Sequence, residues 1–275
     1  MSVVLGPLFT ALIKPEHDLA ILQQRVIGCT LCPRLVEHCR KVAREKRRMY
    51  HDWEYWGKPI PSFGDPRAEL LIVGLAPAAH GGNRTGRIFT GDRSGDFLYH
   101  ALYEAGFANQ PQSRQRDDGL ELRNCYITAA LRCAPPMNKP VPEELRNCQP
   151  YLQAELRLLE RVRAVLALGR IAFDFYLRLA WRSAIGARGI PLPRRAAPKD
   201  GSARGNASRR EEREKFPPRS FFRFAHGASY ELPGNLPRLF ASYHPSQQNT
   251  QTGKLTPKMM HAVFEDIRRF LAEGE

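Results

Sequence analysis

Apolar runs bounded by turn residues alternate along this chain with stretches of helical period. Glu69-Leu-Leu-Ile-Val-Gly74 is a short uninterrupted apolar run, which predicts a strand buried on both faces. Cys125 to Leu131 predicts a second strand, Arg163 to Leu168 a third, and Arg238-Leu-Phe-Ala-Ser-Tyr243 a fourth. Between them, Ser94 to Ala105 sets Phe97, Leu98, Ala101, Leu102 and Ala105 on one helical face, with Ser94 as its cap. Glu143 to Val162 predicts helix with a boundary or kink near Pro150, and Arg170 to Trp181 and Thr256 to Leu271 predict two more helices. Upstream, Glu16 to Ile27 carries Leu19, Ile21, Leu22, Val26 and Ile27 at helical spacing and stops at Gly28. Pro33 opens a second helix reaching to about Tyr50. Strands alternating with helices imply a three-layer α/β/α domain around a mostly parallel four-strand sheet.

The pattern collapses between Arg182 and about Arg219 into Arg, Pro, Ala, Gly and Ser. Such a stretch has no core to form and reads as a disordered basic insertion. The remainder is expected to be one domain over residues 1–275, with residues 16–50 as an N-terminal helical segment.

Charge changes this picture only slightly. The chain carries a formal +14, but Arg182 to Arg223 holds twelve Lys or Arg against four acids, so the folded body is only moderately basic. The exception is the tail of the second helix, Arg40-Lys-Val-Ala-Arg-Glu-Lys-Arg-Arg48, which suits phosphate contact as well as a solvated face. No run of eighteen apolar residues exists, and Ser2 to Ile13 lacks a basic leader and a small-residue cleavage site. A cytoplasmic protein without a membrane anchor is expected. There, six cysteines read as thiols or metal ligands rather than as disulfides.

Four of them are spaced for a shared ligand. Cys29-Thr-Leu-Cys32 turns two thiolates toward one point, and Cys133 and Cys148, joined by a loop and a helix, supply two more. On spacing alone they suit zinc or an iron-sulfur cluster equally. Cys39 and Cys125 have no spaced partner and read as small core residues.

Candidate chemistry sits where loops leave strand carboxyl ends, the side on which open parallel sheets bind ligands. Leu75 to Gly95 is long and glycine-rich, Cys133 to Pro142 is proline-stiffened, and His244-Pro-Ser-Gln-Gln-Asn249 leaves the fourth strand. A non-catalytic zinc-stapled DNA-binding module would leave these loops idle, and a redox iron-sulfur protein would explain the cysteines alone.

Gly74-Leu-Ala-Pro-Ala-Ala-His-Gly81 with Asn83-Arg-Thr-Gly-Arg-Ile-Phe-Thr-Gly-Asp92, Arg132-Cys-Ala-Pro-Pro-Met-Asn-Lys-Pro140, and Ser242-Tyr-His-Pro-Ser246 with Gln248-Asn-Thr-Gln-Thr-Gly253 closely resemble the family 5 (type b) uracil-DNA glycosylases. The resemblance spans residues 17–180 and 221–270. It implies a four-iron, four-sulfur (4Fe-4S) cluster on Cys29, Cys32, Cys133 and Cys148. It also implies a monomer that acts on uracil-containing double-stranded DNA, with Gly74, Ala76, Phe89 and Ser246 forming the base pocket and Phe89 stacking on the flipped base. His244 would bond the departing base, and Asp92 and Asn138 are the polar candidates for handling water. The competing reading of Asp92 is a helix cap, and that of Asn138 a turn residue. Thr128-Ala-Ala-Leu131 offers no bidentate contact to a base edge, so loose discrimination reaching bases such as hypoxanthine is expected. Ala78 stands where the family more often has glycine. Gln247, Gln248 and Asn249 suit either a minor-groove wedge or an ordinary polar loop.

Overall fold

The computed structural model describes residues 15–184, 217–234 and 236–273. Almost all of the expected basic insertion, and the first fourteen residues, lie outside them. Among the described residues the sheet has six strands rather than four, in the order β1-β3-β2-β4-β6-β5. Its centre is the expected parallel set: β2 (Leu70–Gly74), β3 (Cys125–Ala129), β4 (Ala164–Leu168) and β6 (Arg238–Ser242). The additional strands, β1 (Phe63–Gly64) and β5 (Ser229–Tyr230), are antiparallel edges. Two-residue strands carry no readable alternation, so only pairing with β3 and β6 defines them.

Helices α1 (Pro15–Ile27), α5 (Pro142–Leu158) and α6 (Arg170–Ala184) cover one face of the sheet. Leu19, Leu152, Leu156, Phe173 and Tyr176 pack there on Leu71, Val73, Val165 and Leu239. On the other face, α4 (Arg93–Glu104) and α8 (Pro257–Ala272) set Leu98, Leu102, Phe264 and Ile267 on Leu70, Ile72, Ile127 and Leu166. Strand residues therefore alternate between two cores, and each fully buried Leu, Ile or Phe contributes roughly 1.5–3 kcal/mol.

Three element limits differ from expectation. Helix α2 (Pro33–Glu45) stops short of Tyr50 because Lys46 turns to φ +51°, and a separate short turn covers Arg48–Tyr50. Helix α5 runs unbroken through Pro150, whose exposed position lets water satisfy the backbone carbonyl that proline leaves unbonded. Helix α4 is capped by Asp92 rather than by Ser94.

A buried polar cluster ties the N-terminal segment to this domain. Glu155, fully buried on α5, accepts from Arg132 Nη2 at 2.5 Å, Thr128 Oγ1 at 2.7 Å, Ser62 Oγ at 2.6 Å and Gln23 Nε2 at 3.2 Å. So dense a set of partners is what a buried carboxylate needs, and it locks α1 and α5 against β3.

Candidate active site

Strand β2 ends at Gly74, and the chain passes through the one-turn helix α3 (Gly82–Thr85) to Phe89 and Asp92 before entering α4. Phe89 is buried and holds φ +52°, a left-handed backbone that a bulky residue adopts only under constraint. Its ring lies over Gly74, where a Cβ would come within 2.8 Å of two ring carbons. Across it stands His244, at the carboxyl end of β6, with ring centroids 5.8 Å apart and planes inclined by 32°. Burial pushes the His244 imidazole down to about 4, so at neutral pH it is uncharged. The short helix α7 (Gln247–Gln251) fixes this histidine: Ser246 caps it by accepting from Asn249 N, and Asn249 Nδ2 donates to His244 O at 2.8 Å. Asn249 is thereby committed, whereas Gln247 and Gln248 stay exposed.

Asp92 caps a helix and keeps its second oxygen free of that duty. Its Oδ1 accepts from Ser94 N at 2.9 Å and Gly95 N at 3.0 Å, which caps α4. Its Oδ2 lies against Gly81, where a Cβ would fall 2.0 Å away, and accepts no hydrogen bond among the described residues. Burial raises the carboxyl above its ordinary value against the pull of the two backbone N–H groups.

The structure does not bring Asn138 to this cluster. It sits at φ +57° on an exposed turn, beside a hollow lined by Lys139, Arg146, Ile171 and Arg178. Ala76 packs toward Leu35 and Leu131, beneath the first loop.

Two buried arginines to which the sequence reading gave no role frame the loop. Arg84 is stacked between Tyr50 and Trp53, its guanidinium 3.9 and 4.0 Å from the ring centroids. It ties the loop's two ends by donating to His80 O and Gly91 O, each at 2.8 Å. Arg87, also buried, donates to both Asp118 oxygens at 2.8 Å, to Ser113 Oγ at 2.9 Å and to Thr90 Oγ1 at 3.0 Å. Both anchors precede Phe89 in the chain, and Arg84 reaches past it to Gly91 O. The sequence signal for these roles was slight: an arginine on each side of Gly86, Arg84 two positions before it and Arg87 next to it.

Cys29, Cys32, Cys133 and Cys148 line one hollow whose other walls include Leu31, Leu35 and Leu131. They come from the turn after α1, the start of α2, the loop after β3, and α5. Among the described residues no three metal-ligating side chains close to the spacing of a single ion. Four thiols around one largely apolar hollow are a donor set that fits a polynuclear iron-sulfur group. Cys39 and Cys125 are buried as expected, Cys39 beside Ala134 in this small core.

The family profile of the uracil DNA glycosylase superfamily matches residues 61–268. A type-5 uracil-DNA glycosylase of Mycobacterium tuberculosis is 46% identical over 242 residues, covering 88% of this chain and 77% of that protein. One from Thermus thermophilus is 45% identical over 246 residues, covering 90% and 95%.

This chain belongs to the type-5 uracil-DNA glycosylases.

Likeness to a type-4 uracil-DNA glycosylase of Archaeoglobus fulgidus is lower, 31% over 147 residues, covering 53% of this chain and 62% of that protein. As a member of the type-5 family the chain is a DNA-repair enzyme that hydrolyses an N-glycosyl bond, and DNA is its partner. No described helix is long and apolar enough to cross a membrane.

Proposed function

We propose that this chain, as a monomer in the cytoplasm, excises uracil and other deaminated bases such as hypoxanthine from double-stranded DNA by turning the nucleotide out of the stack. The facing pair Phe89 and His244 above the ends of β2 and β6 is the observation that carries this reading. A base drawn into the pocket stacks on Phe89, beside the backbone of Gly74 and Ala76 and the Ser246 turn. Cleavage builds cationic character on the sugar and negative charge on the departing base. His244, uncharged and already fixed through Asn249, donates a hydrogen bond to the base oxygen on which that charge collects. Asp92 faces the sugar with Oδ2, where its charge stabilises the cation and polarises the attacking water. Asn138 is the weaker claimant on that water, because its turn stands apart and exposed.

Broad base choice is favoured by the second strand. Thr128, the one polar side chain in Thr128-Ala-Ala-Leu131, spends its hydroxyl on Glu155 and Ser62. Recognition then falls to shape and backbone groups. Cys29, Cys32, Cys133 and Cys148 hold a 4Fe-4S cluster whose contribution is to fasten the N-terminal helices to the second loop.

The test is alkaline strand cleavage of duplex oligonucleotides carrying uracil, hypoxanthine or no lesion, using protein with its visible iron-sulfur absorption intact. Cleavage at uracil and hypoxanthine is expected. Cleavage at uracil alone removes the broad specificity, and no cleavage at any lesion removes the glycosylase reading of these residues.

A further inference from the structure

We infer that a cationic groove between α2 and the segment Tyr55–Pro59 is a second DNA site, which holds the sugar-phosphate backbone away from the base pocket. This rests on the reading that the chain works on DNA. The groove has a volume of about 560 Å³, and Arg40 and Arg44 project from α2 on one side while Lys58 projects from the other, over the Trp56 ring. All three cations are exposed, and among the described residues none is paired with a carboxylate. The rest of α2 behaves differently: Arg34 is held by Glu144 at 2.7 Å and Lys41 by Glu45 at 3.8 Å. Among the described residues no acidic one lines the groove. A solvated helix face scatters its charges outward and mixes their sign. Here two separate elements aim unpaired cations of one sign into one concavity, which suits a polyanion.

The groove is also wired to the chemistry. Trp56 N donates to Arg84 O at 2.9 Å and Gly57 N to Asn83 O at 3.1 Å, so its floor is bonded to α3. Tyr55 Oη and His80 Nδ1 lie 3.0 Å apart, which adds a contact to the same loop. That loop carries Phe89 and Asp92. Its other wall includes Cys29, so the cysteine hollow and the groove share a residue. A strand laid in the groove would therefore be held by an element that is rigid with respect to the base pocket, which is what positioning contacts require.

The test compares the holoenzyme with its Arg40→Gln/Arg44→Gln/Lys58→Gln variant. A control, Arg67→Gln/Arg123→Gln/Arg161→Gln, removes three exposed cations from the loops entering β2, β3 and β4, at the opposite end of the sheet. Binding of an undamaged duplex is followed by fluorescence anisotropy over about 50 to 300 mM salt, and excision by single-turnover kinetics with enzyme in excess. The groove variant should lose at least about tenfold in affinity near 100 mM salt and flatten the slope of log Kd against log salt by about two to three. Its excision rate at saturation should stay within about twofold of the parent, and Arg40→Lys/Arg44→Lys/Lys58→Arg should restore binding. An unchanged slope, or an equal loss in the control, overturns the groove as a DNA site. Failure of the parent itself to excise any base strikes the glycosylase reading instead and leaves the binding comparison readable.

Discussion

Phe89 and His244 lie 155 positions apart in the chain and face each other at 5.8 Å, brought together by the loop that follows β2 and the end of β6. In the proposed mechanism this pair supplies the aromatic face and the hydrogen-bond donor for a departing base. That mechanism rests the worth of His244 on its donor, since donors aimed at developing charge are worth far more inside a dry pocket than in water. His244→Ala should therefore slow single-turnover excision by about 10²- to 10³-fold while leaving visible absorption and duplex affinity intact. Near-parental turnover would take His244 out of the mechanism.

The same burial makes a prediction about pH. The folded imidazole titrates at about 4 and the unfolded one near 6.5, so the native state binds fewer protons between those values. Stability associated with His244 is then fully present above pH 6.5 and is lost as pH falls toward 4. Urea unfolding should show the parent losing about 3 kcal/mol more than His244→Gln across that interval. Parallel curves for the two proteins would mean that the imidazole is not desolvated.

Asp92 carries a cap and a free oxygen, and two substitutions separate them. Asp92→Asn keeps the cap acceptor, so its stability should match the parent closely, while Asp92→Ala should cost about 1 kcal/mol. Both should slow excision by about 10²-fold or more. Gly81→Ala adds a test without touching the acid: its methyl would occupy the space of Oδ2, 2.0 Å away, and should reproduce the slow excision. Normal excision by Asp92→Asn would leave Asp92 as a cap alone.

Asp118 is remote from the base but holds the loop that presents Phe89. Burial works against its charged form, but Arg87 and three backbone N–H groups hold its carboxyl below the usual value. Asp118→Ala would strand the buried Arg87 guanidinium, at a cost of about 3 kcal/mol or more. Asp118→Asn should be milder in stability, yet should lower the saturating excision rate with little change in duplex affinity, since Phe89 loses its fixed backbone. Unaltered excision by a folded Asp118→Asn protein, measured well below its melting temperature, would confine the pair to stability.

The sequence by itself determined the α/β/α order of elements, the four parallel strands, the cysteine quartet and the three loops at strand carboxyl ends. Those properties are local: Leu70 to Val73, Cys125 to Ala129, Ala164 to Leu168 and Leu239 to Ser242 are continuous apolar or near-apolar runs, and a buried strand needs little else. Only the tertiary structure decided what depends on partners distant in the chain. The edges Phe63–Gly64 and Ser229–Tyr230 exist because β3 and β6 offer them free backbone. Pro150 is tolerated because the side of α5 it occupies faces water. Asp92 became the cap of α4 as well as the acid of the loop, and Asn138 stayed on an exposed turn. Arg84 and Arg87 went inside because Tyr50, Trp53 and Asp118 met them there. A charged side chain is buried only where partners converge on it, and that convergence has no period along the chain for a sequence to display.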